Sequence, residues 1–391
     1  MFIFTVLVLF YGIIKKDIFL LFFQVYYIFY FFIGFIFIKH EITKLFNFQV
    51  MYTICIDVFF IVGYYLCKKI PFFQTSNITV EKEYYTQGKY FSFILLIFTS
   101  IIILLFYIII GVPLWSSNPD IFRVDLYKGL RKLVWYVYPI GFISSLVYLY
   151  YENKKISTCI LFVLIMFFLS FSMFLSNLVL PFLLLFSFIF FVLDIKLIFK
   201  YLKRYWFMLL TLSTIVVIIL NILSNLRGQN LFERVFCTNV KNYLFIVNYF
   251  KPAELSLTYF KDFMSLISPE LISFAEEATR IATNYKNGDL VMTPTLPAEI
   301  FVNFNMFISL FAALLIGFGV GLLIKYLHRY LQGKSIFLDV FFCYFSIILA
   351  SIVTQGIGQI FKFLIPQFVI LLIYFTYCEI KKLFMRNNIL K

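Results

Sequence analysis

The chain has 391 residues, 63% of them hydrophobic and 13% charged, and its 33 Lys and Arg outweigh 19 Asp and Glu to leave a net charge of +14. No soluble globular domain hides that much apolar surface, so the composition excludes a soluble enzyme or binding module and points to an all-α integral membrane protein. The basic residues flank apolar runs, which accounts for the net charge without nucleic acid.

A bilayer needs runs of roughly 20 apolar residues, fewer where it thins. About eleven such runs are present, over 2–14, 18–38, 47–67, 91–111, 133–151, 157–174, 178–193, 205–223, 301–324, 336–354 and 357–378. The first run has no basic residues before it and no small-residue cleavage site after it, and Lys15 and Lys16 follow it. It reads as a first membrane helix entering the cytoplasm, not as a cleaved signal. Asp57 falls in the middle of the third run, either as a protonated or hydrogen-bonded structural residue or as a functional group facing the bundle interior. Between the fourth and fifth runs, Asn118-Pro119 starts a helix on which Arg123, Tyr127 and Arg131 share a face. Two stacked guanidinium groups suit a phosphate or pyrophosphate, although plain solvation or contact with lipid head groups explains them as well.

After the eighth run comes a long polar stretch, 224–300, which opens near Arg227. Apolar residues recur in it at helical spacing, as at Leu231, Val235, Phe236, Val240 and Leu244, and again at Phe260, Phe263, Met264 and Ile267. The pattern predicts two or three amphipathic helices lying on the membrane or capping the bundle. Pro294 and Pro297 are expected to break helicity before the ninth run. Glu299 and Asn303, four residues apart, face one way at the mouth of that run. An acid so close to hydrocarbon needs a partner, for which an arginine from another outside loop is the natural choice. Gly317, Gly319 and Gly321 include a GxxxG spacing, which predicts close helix packing. Asp194 and Asp339 sit near cytoplasmic ends, where water reaches them. Lys362, beside Gln359, lies about a turn inside the outer end of the last run, where it snorkels to the interface or holds an anionic head group.

Alternating the runs across the bilayer with the C-terminus inside puts most of the basic residues in the short loops on the cytoplasmic side. The long stretch then lies outside. The expected organisation is an N-terminal bundle over 1–223, an extracytoplasmic segment over 224–300 and C-terminal helices over 301–391. His40 and His328 are far apart and the six cysteines form no Cys-x-x-Cys pair, so neither a metal, a cofactor nor a disulfide framework is expected.

Four features together resemble the Wzy-type O-antigen and capsule polymerases, the oligosaccharide repeat-unit polymerases. The chain opens with a short apolar run followed by Lys15-Lys16-Asp17-Ile18-Phe19. An arginine-bearing outside loop runs from Gly111 to Lys132. A long outside loop begins after Arg227. The segment from Met264 to Phe304 ends in a Pro-x-x-Pro-x-Glu-x-x-x-Asn-Phe pattern, followed by Gly317-Phe-Gly-Val-Gly. The resemblance implies a GT-C-like helical bundle in the bacterial inner membrane with one long periplasmic loop.

It also implies an activity. A glycan on undecaprenyl pyrophosphate passes to the non-reducing end of a repeat unit on the same lipid, without a metal, and undecaprenyl pyrophosphate is released. The implied partners are these lipid-linked oligosaccharides, the membrane lipid and a chain-length co-polymerase. Fixed cations would meet the charge that develops on the leaving pyrophosphate. The candidates are Arg123, Arg131 and Arg227, with Arg280 and Lys362 behind them. Glu299 would accept the acceptor hydroxyl's proton or hold an arginine in place, with Asn303 beside it. Three other classes stand against this reading. A lipid-linked oligosaccharide flippase would carry more spans, shorter loops and a cationic cavity. A glycosyltransferase using polyprenyl-phosphate sugars would carry an acidic pair in its first outside loop, where this chain has only Glu41. An O-antigen ligase would transfer the glycan to lipid A core instead.

Overall fold

The computed structural model describes residues 2–38, 46–70, 83–111, 132–151, 179–187, 236–250 and 294–389, with isolated positions between 206 and 218 and between 274 and 281. Among the described residues every regular element is helical. The α-helices are α1 (Phe2–Ile14), α2 (Ile18–Tyr27), α3 (Ile33–Ile38), α4 (Phe46–Lys69), α5 (Glu83–Ile110), α6 (Lys132–Tyr151), α7 (Val179–Ser187), α8 (Thr238–Tyr249), α9 (Leu296–Asn303), α10 (Met306–Leu331), α11 (Ile336–Ala350) and α12 (Ile352–Ile389). A π-helical turn, Ile28–Phe32, joins α2 to α3.

Five helical segments are long and apolar enough to cross a membrane: Ile18–Ile38, Phe48–Lys69, Gly88–Ile109, Met306–Leu331 and Phe363–Leu383. A sixth is added if Ile336–Ala350 and Ile352–Gly358, bent by 87° at their junction, are counted as one broken span. Shorter apolar helices cover Phe4–Ile14 and Val137–Tyr151. The expected run at 157–174, the end of 178–193 from 188 on and most of 205–223 lie outside the described residues.

The chain forms two compact units. The first comprises Met1–Gln74, Ser187–Tyr326 and Ser346–Ile360. Its N-terminal part is fixed by Asp17, whose Oδ1 accepts the Leu20 N–H at 3.1 Å and so caps α2. The same carboxylate accepts the Tyr64 hydroxyl at 3.0 Å and pairs with Lys68, tying the start of α2 to the end of α4. Aromatic rings fill the space between these helices. Phe23 stacks on Phe60 with centroids 4.3 Å apart, and Phe19 meets Tyr64 at 4.9 Å.

Helix α10 packs on α4 through glycines. A Cβ on Gly63 would run into the Leu314 carbonyl oxygen, and one on Gly317 into that of Phe60. A Cβ on Gly321 would come within 3.0 Å of the Cys67 Cβ, whereas one on Gly319 would meet nothing within 4 Å. The GxxxG pair is thus a packing face, as its spacing predicts. The amphipathic helix expected over 231–245 is seen in its second half as α8, which buries Val240, Tyr243, Ile246 and Val247. It lies against the π turn, where Phe236 faces Phe29 and the Tyr243 ring meets that of Phe31.

The second unit comprises Thr75–Phe186, Leu327–Phe345 and Phe361–Lys391. Helices α5 and α6 pack along their length, and Phe91 of α5 sits among Phe337, Tyr374 and Tyr377. Helix α5 starts at Glu83, ahead of the apolar run expected from 91. Ser335 caps α11 by accepting the Leu338 N–H, and its hydroxyl lies 3.3 Å from that of Tyr374. Asp339, expected to be solvated, is half-buried and accepts the Gly333 N–H at 2.6 Å, which closes the turn before α11.

Candidate functional site

Two expected helix boundaries are corrected where Glu299 and Asn303 lie. Pro297 does not break helicity. It occupies the first turn of α9, where a missing N–H costs nothing, and Thr295 precedes that helix in extended conformation. The run expected as one span over 301–324 is two helices. Phe304 is extended (φ −135°, ψ 151°) and ends α9, and Asn305 Oδ1 then accepts the Ile308 N–H at 3.0 Å to start α10. A capping asparagine has overridden an apolar run.

Glu299 therefore sits in a short separate helix. It is fully buried, and Asn303 is nearly so. The predicted common face is real: Asn303 Nδ2 donates to the Glu299 carbonyl oxygen at 2.7 Å. Helix α9 is held in the first unit by the Tyr52 ring edge-on against Phe301, with centroids 5.6 Å apart.

Among the described residues, the Glu299 carboxylate meets a main-chain group at a break, between residues that the sequence places in separate runs. Helix α11 ends at Ala350, not at 354. The Ser351 hydroxyl donates back to the Ile348 carbonyl at 2.7 Å and the Thr354 hydroxyl to the Ser351 carbonyl at 3.1 Å, a pattern that bends helices. The chain turns by 87° and breaks again at Gly356 (φ 74°, ψ 174°). Only glycine adopts that conformation readily. The next residue, Ile357, donates its N–H to Glu299 Oε2 at 2.7 Å. The carboxylate thus caps the newly starting segment of α12, where the orphan N–H groups and the positive end of the helix dipole favour an anion. A Cβ at 356 would lie 2.5 Å from Glu299 Cδ and Oε1 and 2.8 Å from the Pro294 carbonyl oxygen. Gly356 is required twice, by its backbone and by its neighbour. It is the site residue that sequence reasoning missed, and the signal was the Ser351-Ile-Val-Thr-Gln-Gly-Ile-Gly cluster interrupting an apolar run.

The other candidates distribute as follows. Lys362 lies on α12, six positions after Gly356. Arg123, Arg131, Arg227 and Arg280 lie outside the described residues. No group of three or more His, Cys, Asp or Glu capable of holding a metal ion occurs among the described residues.

Fold and site together define a protein whose regular elements, among the described residues, are all helical, with several helices long and apolar enough to cross a membrane and a buried carboxylate capping a broken one. No protein-family model matches the chain, and neither a curated protein nor a solved structure does so.

Proposed function

We propose that the chain polymerises lipid-linked oligosaccharide repeat units at the periplasmic face of the bacterial inner membrane. In this reading it is a polytopic bundle of about eleven spans. The observation that carries the proposal is the buried Glu299–Asn303 pair, the most specific part of the resemblance to the repeat-unit polymerases, seated against a helix break at Gly356. A break of this kind turns main-chain N–H groups and the positive end of a helix dipole into an apolar bundle, where one of them, at Ile357, already holds the Glu299 carboxylate, and such breaks suit the handling of anionic groups.

The arginines take their roles from the resemblance, and Glu299 and Asn303 take theirs from the geometry around them. With Oε2 held by Ile357 and the side chain fully buried, Glu299 is a positioning residue. Service as a general base would first require the site to open. Arg227, Arg123 and Arg131, with Arg280 and Lys362, supply the positive charge for the leaving pyrophosphate, since arginine binds phosphate bidentately and stays charged at any working pH. Asn303 holds the Glu299 main chain. Glycan transfer then breaks the bond from the sugar to the lipid pyrophosphate and joins that sugar to an acceptor hydroxyl, whose proton is lost.

One observation favours a second reading. Discontinuous helices with buried polar groups also build transport sites, so the 87° break fits a lipid-linked oligosaccharide flippase. Deleting the gene and resolving surface glycans on a gel separates these readings. Loss of the polymerase leaves single repeat units on the surface, loss of a flippase leaves none, and loss of a ligase leaves no glycan attached to lipid A core. Complementation with Arg227→Ala or Glu299→Ala, at normal protein level, is expected to give no long chains. A normal ladder from both variants refutes the site assignment.

A further inference from the structure

The buried side chains of the first unit include one carboxylate that the glycan reading does not use. Asp57 lies near the middle of the apolar segment Phe48–Lys69 and is 1% exposed. Its hydrogen-bond partner is Gln24 of α2, itself 0% exposed, which donates Nε2 to Asp57 Oδ1 at 3.1 Å. An amide brings no positive charge. Among the described residues no Lys, Arg or His pairs with Asp57. The titratable side chain that interacts with it is Tyr27 of α2, which in turn faces Tyr52 of α4 and Tyr243 of α8. Three phenols supply no cation either. An ionised carboxylate with only these neighbours, in the middle of an apolar segment, is among the most costly arrangements a protein can hold.

A second observation points to how that cost is met. Gln24 Oε1 is buried and receives no hydrogen bond. A buried amide oxygen without a donor is itself costly. One hydrogen atom removes both faults. The structure assigns a proton to Asp57, so that the neutral acid and the Gln24 amide form a reciprocal pair, Nε2–H donating to Oδ1 and Oδ2–H donating to Oε1. The assignment does not depend on which way the amide points. Turned over, Gln24 would present its oxygen to Asp57, and that contact also needs an O–H from the carboxyl group. The site is thus a proton-binding site inside the bundle, between α2 and α4.

The test is infrared spectroscopy of the full chain in lipid nanodiscs, with Asp57→Asn and Gln24→Leu as variants. Asparagine keeps the shape and can reproduce both hydrogen bonds with Gln24, so Asp57→Asn is expected to fold. The wild type is expected to show the carbonyl stretch of a protonated, hydrogen-bonded carboxylic acid at neutral pH. That band is absent in Asp57→Asn and moves to higher frequency in Gln24→Leu, where the acid loses its partner. A wild-type spectrum at neutral pH without a band that Asp57→Asn removes overturns the proposal and shows an ionised Asp57. An unshifted band in Gln24→Leu overturns the reciprocal pair. A thermal stabilisation of the wild type by sodium chloride over choline chloride, lost in Asp57→Asn, also overturns it, because a small cation would then occupy the place given to the proton.

Discussion

The α4–α10 contact and the break at Gly356 lie in the same unit and use glycine in opposite ways. At the contact, Gly63, Gly317 and Gly321 are ordinary helical residues whose missing side chains let two backbones touch. At these glycines the contact contributes close packing. At the break, Gly356 is there for its dihedral angles, the helix is interrupted, and a freed N–H has to be met by Glu299. The comparison teaches that a glycine in an apolar run has two readings, and that the polar residues around it decide which applies. Gly317 and Gly321 are flanked by Phe, Val and Leu, whereas Gly356 follows Ser351, Thr354 and Gln355.

Substitutions can break the comparison on either side. The largest effect is expected from Gly317→Leu, whose side chain has no room against the Phe60 carbonyl. A cost of roughly 3 kcal/mol or more is expected, read as loss of monodisperse protein in detergent. Gly356→Ala should follow at about 1–3 kcal/mol from backbone strain alone, with the added methyl displacing Glu299. Its signature differs from that of Gly317→Leu, because long glycan chains should disappear while the protein still inserts.

Glu299 sharpens the contrast further. Glu299→Ala leaves the Ile357 N–H without its acceptor, at a cost of about 1–3 kcal/mol in thermal unfolding. Glu299→Gln keeps an acceptor and should keep most of that stability. It should also retain a partial glycan ladder if the carboxylate positions the site, and none if it must take a proton. Asn303→Ala removes one hydrogen bond to the Glu299 carbonyl and should cost about 0.5–1.5 kcal/mol. The smallest effect is expected at Gly319, which faces open space. There alanine should be neutral or stabilise the helix by up to about 1 kcal/mol.

How far the sequence carries can be traced through the same residues. The apolar runs at 18–38 and 47–67 emerge as helices almost to the residue, because runs that long have no other way to satisfy their backbone in an apolar setting. Spacing also made Gly317 and Gly321 legible as a packing face, and placed Glu299 and Asn303 on one side of a helix. It did not reveal that this helix is separate from α10, because hydropathy does not register the capping of Ile308 by Asn305. Nor did it show what Glu299 meets. One partner is the backbone of Ile357, 58 positions away, and a main-chain N–H carries no sequence signature until a break exposes it. The reciprocal pairing of Asp57 with Gln24 was hidden for a similar reason. Each residue is an isolated polar group in its own apolar run, and only the packing of α2 on α4 joins them.

The most direct test of the central claim is reconstitution of the purified full chain in liposomes with undecaprenyl-pyrophosphate-linked repeat units as the only substrate. Longer lipid-linked glycans are predicted, with one undecaprenyl pyrophosphate released for each linkage formed, and Gly356→Ala should stop both. Repeat units that cross the bilayer without growing, or that stay unchanged beside correctly folded protein, would contradict the account.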